Sequence, residues 1–176
     1  GGILVEAASP VIRECVISNN IANTVSGGGG LGGGLYLFGS HSTLLSNTIS
    51  NNVASTNGGP AMGGGVCNRG GPITLTGNVI ISNVATTIDN GWGGGLYIDE
   101  GIATVADNFI SGNIASISGV GKGGGIYTEV SGGSFINNFV QNNTASIYDT
   151  GWGGGLYLYG NTIITVTDNV IADNVG

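Results

Sequence analysis

The sequence predicts an all-β fold, a right-handed parallel β-helix (solenoid) of about six coils, each with about 30 residues and three short strands. Two observations predict it: runs of three glycines recur at an almost constant spacing, and a pattern of apolar residues and asparagines repeats in register with them. The glycine runs begin at Gly32, Gly63, Gly93, Gly123 and Gly153, so successive starts are 31, 30, 30 and 30 residues apart. Such a spacing is typical of solenoids, in which each repeat forms one coil.

The glycine runs divide the chain into six predicted coils, which together form a single domain, 1–176. A copy that begins Gly1-Gly2-Ile3 precedes the first triple glycine, and the last copy is shorter than the others. The predicted coils are 1–31, 32–62, 63–92, 93–122, 123–152 and 153–176. At the strand spacing of a β-sheet, six coils make a rod about 30 Å long.

The second repeated pattern reads apolar-x-x-Asn-x-apolar-x-x-Asn-x-Ala, and in the first coil Cys15 replaces the first asparagine. Stacked in register, the asparagines form two ladders of side-chain hydrogen bonds with a spacing of about 4.8 Å. Asparagine tolerates a left-handed backbone, so each ladder asparagine is expected to make a tight corner. The predicted ladders are Asn47, Asn78, Asn108, Asn138 and Asn169, and Asn20, Asn52, Asn83, Asn113, Asn143 and Asn174.

The strand that begins each coil is predicted to have an aliphatic inner face and a mostly aromatic outer face, because side chains alternate along a strand. The rings of the outer column are expected to stack while their hydroxyls remain in water. The glycines before this strand are expected to permit a close backbone approach. The inner column is Ile3, Leu35, Val66, Leu96, Ile126 and Leu156, and the outer column is Leu4, Tyr36, Cys67, Tyr97, Tyr127 and Tyr157.

These repeats resemble those of right-handed parallel β-helix repeat proteins of bacterial surfaces, and they are similar to the repeats of chlamydial polymorphic outer-membrane proteins. That family carries GGA[ILV] and FxxN repeats, which Gly124-Gly125-Ile126 and Phe139-Val140-Gln141-Asn142 approach. Glycine stands where the family has alanine, and phenylalanine occupies only two of six equivalent positions, Phe109 and Phe139. The resemblance implies the architecture and an extracellular or cell-surface location in a bacterium.

The composition limits the kinds of partner. The chain has three basic and ten acidic residues, a net charge of −7, and only 7% charged residues, against about 25% in ordinary domains. This balance argues against nucleic acid or an anionic membrane as a partner. No run of about 18 apolar residues occurs, so no membrane insertion is expected. Cys15 and Cys67 lie two coils apart on different strands, too far for a disulfide, and are expected to be free, buried thiols.

Both terminal coils are expected to be open sheet edges, because the sequence enters the first coil directly and stops at the second asparagine corner of the last. Two explanations fit: the chain is a section of a longer surface stalk or adhesin, or copies stack head to tail as a homopolymeric filament. The predicted stacking interface consists of Gly1, Gly2, Ile3, Leu4 and Val5 at one end and Leu156, Tyr157, Leu158, Val166, Asn169, Ile171 and Asn174 at the other.

Two tryptophans are candidates for ligand contact. Trp92 and Trp152 occupy matching positions two coils apart, so they are expected on one side of the solenoid, about 10 Å apart. They are interpreted either as a platform for surface glycans or a second subunit, or as rings that simply cover loop glycines.

An acidic pair is the alternative, enzymatic site. Asp99 and Glu129 fall on adjacent coils and could serve a polysaccharide lyase or glycoside hydrolase. Otherwise Arg69 and Asp99 form an exposed ion pair and Glu129 is solvated. His41, the only histidine, has no second ligand, so no metal site is predicted, and no catalytic residue or cofactor is assigned. The preferred function is a non-enzymatic extracellular structural protein, with polysaccharide binding or cleavage as the alternative.

Overall fold

A computed structural model shows a parallel β-solenoid and describes residues 1–129, 132–160 and 163–176, among which there is no helix. Every strand pairing is parallel and joins equivalent positions of neighbouring coils, as where Leu96 lies between Val66 and Ile126. The predicted solenoid of about six coils is therefore confirmed. The three expected strands occur in each coil, and in the first five coils two further short strands follow them before the next triple glycine. The described residues contain no helix suited to crossing a membrane.

Five parallel sheets, A to E, run along the solenoid, and their strands are numbered in chain order. Sheet A consists of β1 (Ile3–Glu6), β6 (Leu35–Phe38), β11 (Val66–Arg69), β16 (Leu96–Asp99), β21 (Ile126–Glu129) and β26 (Leu156–Tyr159). Sheet B consists of β2 (Val11–Arg13), β7 (Ser42–Leu45), β12 (Ile73–Thr76), β17 (Ile102–Ala106), β22 (Gly132–Ile136) and β27 (Ile164–Thr167). Sheet C consists of β3 (Val16–Ser18), β8 (Thr48–Ser50), β13 (Val79–Ile81), β18 (Phe109–Ser111), β23 (Phe139–Gln141) and β28 (Val170–Ala172).

The two remaining sheets have five strands each, of three residues in sheet D and two in sheet E. Sheet D consists of β4 (Ile21–Asn23), β9 (Val53–Ser55), β14 (Val84–Thr86), β19 (Ile114–Ser116) and β24 (Thr144–Ser146). Sheet E consists of β5 (Gly30–Leu31), β10 (Ala61–Met62), β15 (Gly91–Trp92), β20 (Gly121–Lys122) and β25 (Gly151–Trp152). Sheets A, B and C enclose a continuous aliphatic core, in which Leu96, Val105 and Ile110 of one coil have no exposed surface.

Two asparagine ladders turn the chain between sheets B and C and between sheets C and D. In each, the side-chain oxygen accepts hydrogen bonds from the main-chain N–H and the Nδ2 of the preceding coil's asparagine. For Asn108 both come from Asn78, at 2.9 Å. Its own Nδ2 donates to the main-chain oxygens of Leu75 and Ala106, at 3.0 and 2.9 Å, and to Oδ1 of Asn138 at 3.0 Å. The predicted ladders are confirmed.

The left-handed residue of each corner differs from the expected one. Asp107, with φ 56°, and Gly112, with φ 64°, precede the ladder residues Asn108 and Asn113, which are not left-handed. The left-handed turn is made by the residue before the ladder asparagine. The asparagine amide can then lie parallel to the solenoid axis and bond to the coils on both sides. The expectation that the ladder asparagine itself adopts the left-handed backbone is therefore wrong.

The triple glycines bring two walls of the solenoid together. Gly93 has φ 63°, a backbone that side-chain-bearing residues rarely adopt. A Cβ on Gly94 would overlap the main chain of Ile114 in sheet D, and one on Gly95 would lie 3.1 Å from the amide of Asn113. The close backbone approach predicted for these glycines is confirmed, and it leaves no room for core side chains at this corner.

Both cysteines are free, as predicted, but only Cys67 is buried. Burial raises the pKa of the Cys67 thiol above its ordinary value. Cys15 occupies a ladder position of the first coil, which a neighbouring coil covers on one side only, and its Sγ donates to the Arg13 oxygen at 3.0 Å. The prediction that Cys15 is buried is therefore wrong.

The ladder contacts predict a large loss of stability for Asn108→Ala. The substitution removes the partner of several buried polar groups, each of which costs about 1–3 kcal/mol when left unsatisfied, so the unfolding free energy should fall by about 3–5 kcal/mol. Urea unfolding followed by circular dichroism measures this change. Asn57→Ala, in an exposed loop, is the control and should cost less than about 1 kcal/mol. Equal losses in the two variants would contradict the ladder's role.

The wall contact predicts that Gly94→Ala prevents folding, because its Cβ overlaps main-chain atoms that cannot move separately. Gly112→Ala is the matched control. Its nearest neighbour, the Ser82 Oγ, would be 3.7 Å from the new Cβ, so only the left-handed backbone opposes the change, by about 1–2 kcal/mol. Circular dichroism and thermal unfolding compare the variants, and a native-like Gly94→Ala protein would refute the close contact.

Candidate functional site

The outer surface of sheets A and E carries three parallel columns of side chains. The triple glycines bring each sheet E residue beside the outer residue of the following sheet A strand. The sheet E column is Leu31, Met62, Trp92, Lys122 and Trp152. The first sheet A column is Leu4, Tyr36, Cys67, Tyr97, Tyr127 and Tyr157, and the second is Glu6, Phe38, Arg69, Asp99, Glu129 and Tyr159.

The tyrosines of the first sheet A column form a stack. The ring centroids of Tyr97 and Tyr127 are 5.2 Å apart with planes inclined by 3°, and those of Tyr127 and Tyr157 are 5.4 Å apart at 4°. The predicted stacking is confirmed, but the expectation that the hydroxyls remain in water is wrong for Tyr97 and Tyr127. Tyr97 and Tyr127 are only 2% and 4% exposed, because Met62 and Trp92 pack against them in a second apolar cluster.

The hydroxyls of these tyrosines are directed to a carboxylate. Tyr97 and Tyr127 both donate to Oε2 of Glu129, at 3.1 and 3.3 Å. Burial, and then the nearby carboxylates, raise the pKa of Tyr97 and of Tyr127 above the ordinary value of 10.0. Both phenols therefore remain protonated donors at neutral pH and hold the Glu129 side chain against the wall.

Asp99 and Glu129 are neighbours in sheet A, but their contacts differ. Oδ2 of Asp99 lies 3.4 Å from Nε of Arg69. The Asp99 side chain is 12% exposed, and burial raises the pKa of its carboxyl group, although Arg69 acts in the opposite direction. The ion pair expected between Arg69 and Asp99 is present and is partly buried rather than exposed. Glu129 is held by tyrosine hydroxyls and is not simply solvated.

Trp92 and Trp152 lie on the same side of the solenoid, two coils apart, with Lys122 between them in sheet E. Nζ of Lys122 is 4.9 Å from the centroid of the Trp152 ring and 5.6 Å from that of Tyr157. These distances correspond to cation–π contacts. Trp92 packs on the tyrosine cluster, whereas Trp152 is 46% exposed.

A cavity of about 290 Å³ opens between the columns and is called the tyrosine groove. It is lined by Met62, Trp92, Tyr97, Lys122, Tyr127, Glu129 and Tyr159. Of the candidates chosen from sequence, Trp92 and Glu129 meet in this groove, whereas Trp152 and Asp99 are not among its lining residues. Sequence reasoning missed Lys122 and Tyr159, although their positions one coil away from Trp92 and Glu129 were a usable signal.

The predicted stacking residues lie at the two ends of the solenoid. Sheet A begins with β1, which follows Gly1 and Gly2 and contains Ile3, Leu4 and Val5, and it ends with β26, which contains Leu156, Tyr157 and Leu158. At the same end as β26, Val166 belongs to β27, Ile171 to β28, and Asn169 and Asn174 are the last ladder residues.

Metal-binding groups and related proteins were both sought for this site. Residues 1–129, 132–160 and 163–176 contain no group of three or more His, Cys, Asp or Glu side chains that could hold a metal ion. Comparisons of the chain with protein-family models, with curated proteins and with solved structures found no match.

The surroundings of Asp99 predict a pH effect with a definite sign. Because the folded state raises the pKa of Asp99 above 3.8, its contribution to stability is fully present below the unfolded pKa and is lost as pH rises through the folded pKa. As the pH rises from strongly acidic to neutral, the melting temperature of the wild type should therefore fall relative to that of Asp99→Asn.

The control for this measurement is Asp173→Asn, which removes the same charge from an exposed position. Its melting temperatures should change with pH in parallel with those of the wild type. A difference between wild type and Asp99→Asn that grows toward acid, rather than toward neutral pH, would contradict the assigned environment.

Proposed function

We propose that this protein is a non-enzymatic structural element, located outside the cell or on the surface of a bacterium, whose end coils stack head to tail on those of further copies. The observation that carries the proposal is the complementarity of the two coil edges. The second asparagine ladder ends in N–H donors at Asn174 and in an amide oxygen at Asn20, and the core residues Ile3 and Leu156 at the two edges are only partly buried. A second copy placed on the first would continue the same parallel sheets.

The asparagine ladders have a direction that matches the two ends. Each internal ladder asparagine donates its main-chain N–H to Oδ1 of the next coil, as Asn143 does to Asn174 at 2.9 Å. In the described residues, the main-chain N–H of Asn174 has no ladder acceptor and Oδ1 of Asn20 has no ladder donor. Stacking one copy on another would pair these groups, and only a parallel, head-to-tail arrangement brings donor to acceptor.

Apolar side chains at the last coil support the same arrangement. Leu158, Val166 and Ile171 are 42%, 42% and 50% exposed, whereas Phe135 and Val140, the residues one coil below Val166 and Ile171, are each 1% exposed. A further coil would cover these side chains, and each Å² of apolar surface removed from water contributes about 25 cal/mol. The main-chain edges would supply affinity by strand addition.

The first ladder would differ between a junction of two copies and a contact between two coils of the same copy. At the first coil Cys15 stands in place of asparagine, and its main-chain N–H donates to Oδ1 of Asn47 at 3.1 Å. In a stack, the N–H of Asn169 would meet the Cys15 thiol instead of an amide oxygen. One ladder would continue across the junction and the other would be interrupted, so the junction is expected to be weaker than the contact between internal coils.

The structural role and the surface location have separate support. The location is supported by the resemblance of the repeats to those of bacterial surface proteins. The non-enzymatic assignment is supported by the composition, since only 7% of the residues are charged and three are basic, which leaves few groups for acid–base chemistry.

The stacking proposal predicts that the purified chain forms long unbranched fibres visible by electron microscopy, with an axial repeat near 30 Å for six coils. Ile171→Glu places a charge in the open apolar core and should reduce fibre mass at least tenfold. Ile102→Glu is the matched control, since Ile102 is 68% exposed on the side of an internal coil. Single rods at all protein concentrations, or equal effects of the two variants, would overturn the proposal.

A further inference from the structure

We infer that the tyrosine groove binds a neutral oligosaccharide, a function that is separate from stacking because the groove lies on the flank and, apart from Tyr159, is lined by residues of internal coils. Its lining combines aromatic rings, one ammonium group and one fixed carboxylate. Sugar rings present apolar C–H faces together with hydroxyls that both donate and accept. The groove offers a partner for each of these groups.

The carboxylate wall is preorganised. Glu129 is held in place by hydroxyl donors from Tyr97 and Tyr127, both of which are almost fully buried. A carboxylate accepts hydrogen bonds at about four positions, and bonds to an ionised acceptor are stronger than neutral ones. The rotamer of Glu129 is therefore already selected before a ligand arrives, which reduces the ordering cost of binding a sugar hydroxyl.

The opposite wall supplies a cation without a carboxylate partner. In the described parts of the chain the ion pair is between Arg69 and Asp99, and Lys122 instead lies over the rings of Trp152 and Tyr157. An ammonium group has three N–H donors, and the cation–π contacts of Lys122 with Trp152 and Tyr157 are electrostatic and leave N–H groups able to donate hydrogen bonds. Lys122 can therefore donate to a hydroxyl or ring oxygen while its position is kept by the two rings.

The apolar lining suits the C–H face of a sugar. Trp92 and Met62 border the groove on the sheet E side, and Tyr159, which is 54% exposed, borders it at the far end. The volume of about 290 Å³ lies at the lower limit of ligand pockets, which suits one or two units of a longer chain. The presence of both Lys122 and Glu129 in the lining, and the net charge of −7, favour a neutral over an acidic sugar.

The two tryptophans of this chain make the proposal directly testable. Both belong to the sheet E column, so intrinsic fluorescence reports on this surface alone. Titration with cellohexaose and with chitohexaose should produce a saturable change for at least one of them. Trp152→Phe should retain that change, because Trp92 remains in the groove, whereas Trp92→Phe should lose it.

Substitutions of the polar walls test the mechanism. Glu129→Gln and Lys122→Met should each weaken binding of the same oligosaccharide at least tenfold. Glu14→Gln and Arg13→Met remove the same charges at exposed positions of the first coil and should leave binding unchanged. Thermal unfolding of each variant establishes that it is folded, and if Glu129→Gln fails to fold, Lys122→Met decides the question.

Three results would overturn the inference. The first is no saturable change with either neutral oligosaccharide. The second is binding of oligogalacturonate in preference to both, which would identify an acidic ligand. The third is unchanged affinity in folded Lys122→Met and Glu129→Gln proteins. Because Ile171→Glu alters only the end coil, oligosaccharide binding by that variant separates failure of the groove from failure of stacking.

Discussion

The buried hydrogen bond between asparagine amides of successive coils is the interaction on which the rest of the structure depends. Each amide in the ladders serves three coils: Asn108, for example, bonds to Asn78, to Asn138 and to the main chain of Leu75. Such a network is stable only when every member is satisfied. An asparagine must therefore stand at the same angular position in successive coils, with Cys15 as the exception in the first coil, and coil length varies mainly in the loops between sheets D and E.

The triple glycines impose the second constraint, because they remove side chains where sheet D meets the corner between sheets E and A. Apolar surface that cannot enter the core at this corner is placed outside it. The side chains of sheet E instead pack on the outer face of sheet A and bury Cys67, Tyr97 and Tyr127. The groove follows from this arrangement, since Lys122 stands between Trp92 and Trp152 and breaks an otherwise apolar cover.

Features that repeat with the coil could be predicted from sequence, whereas features that depend on contact between different columns could not. The period placed Asn108 above Asn78 and Tyr97 beside Tyr127 without knowledge of the corners. The burial of Tyr97 depends on how far the side chains of sheet E extend across sheet A. The repeat period does not predict this distance. The exposure of Cys15 and the left-handed backbone at Asp107 are likewise set by local geometry. Lys122 makes its contacts with Trp152 and Tyr157 across two columns, which the period of one column does not predict.

A solenoid of identical coils has no preferred point along its axis, so specificity arises where the repetition is broken. The amide-to-amide hydrogen bonds of the ladders all point the same way along the axis, so the two ends of the rod differ: the second ladder ends in donors at one end and in an acceptor at the other. In the middle coils the columns of sheets A and E are interrupted by four charged residues, Arg69, Asp99, Lys122 and Glu129. These residues make the flank of the middle coils polar. The proposed stacking would use the two terminal coils, whereas the proposed groove lies on the flank, where only Tyr159 belongs to the last coil, so the two proposals depend on largely separate residues.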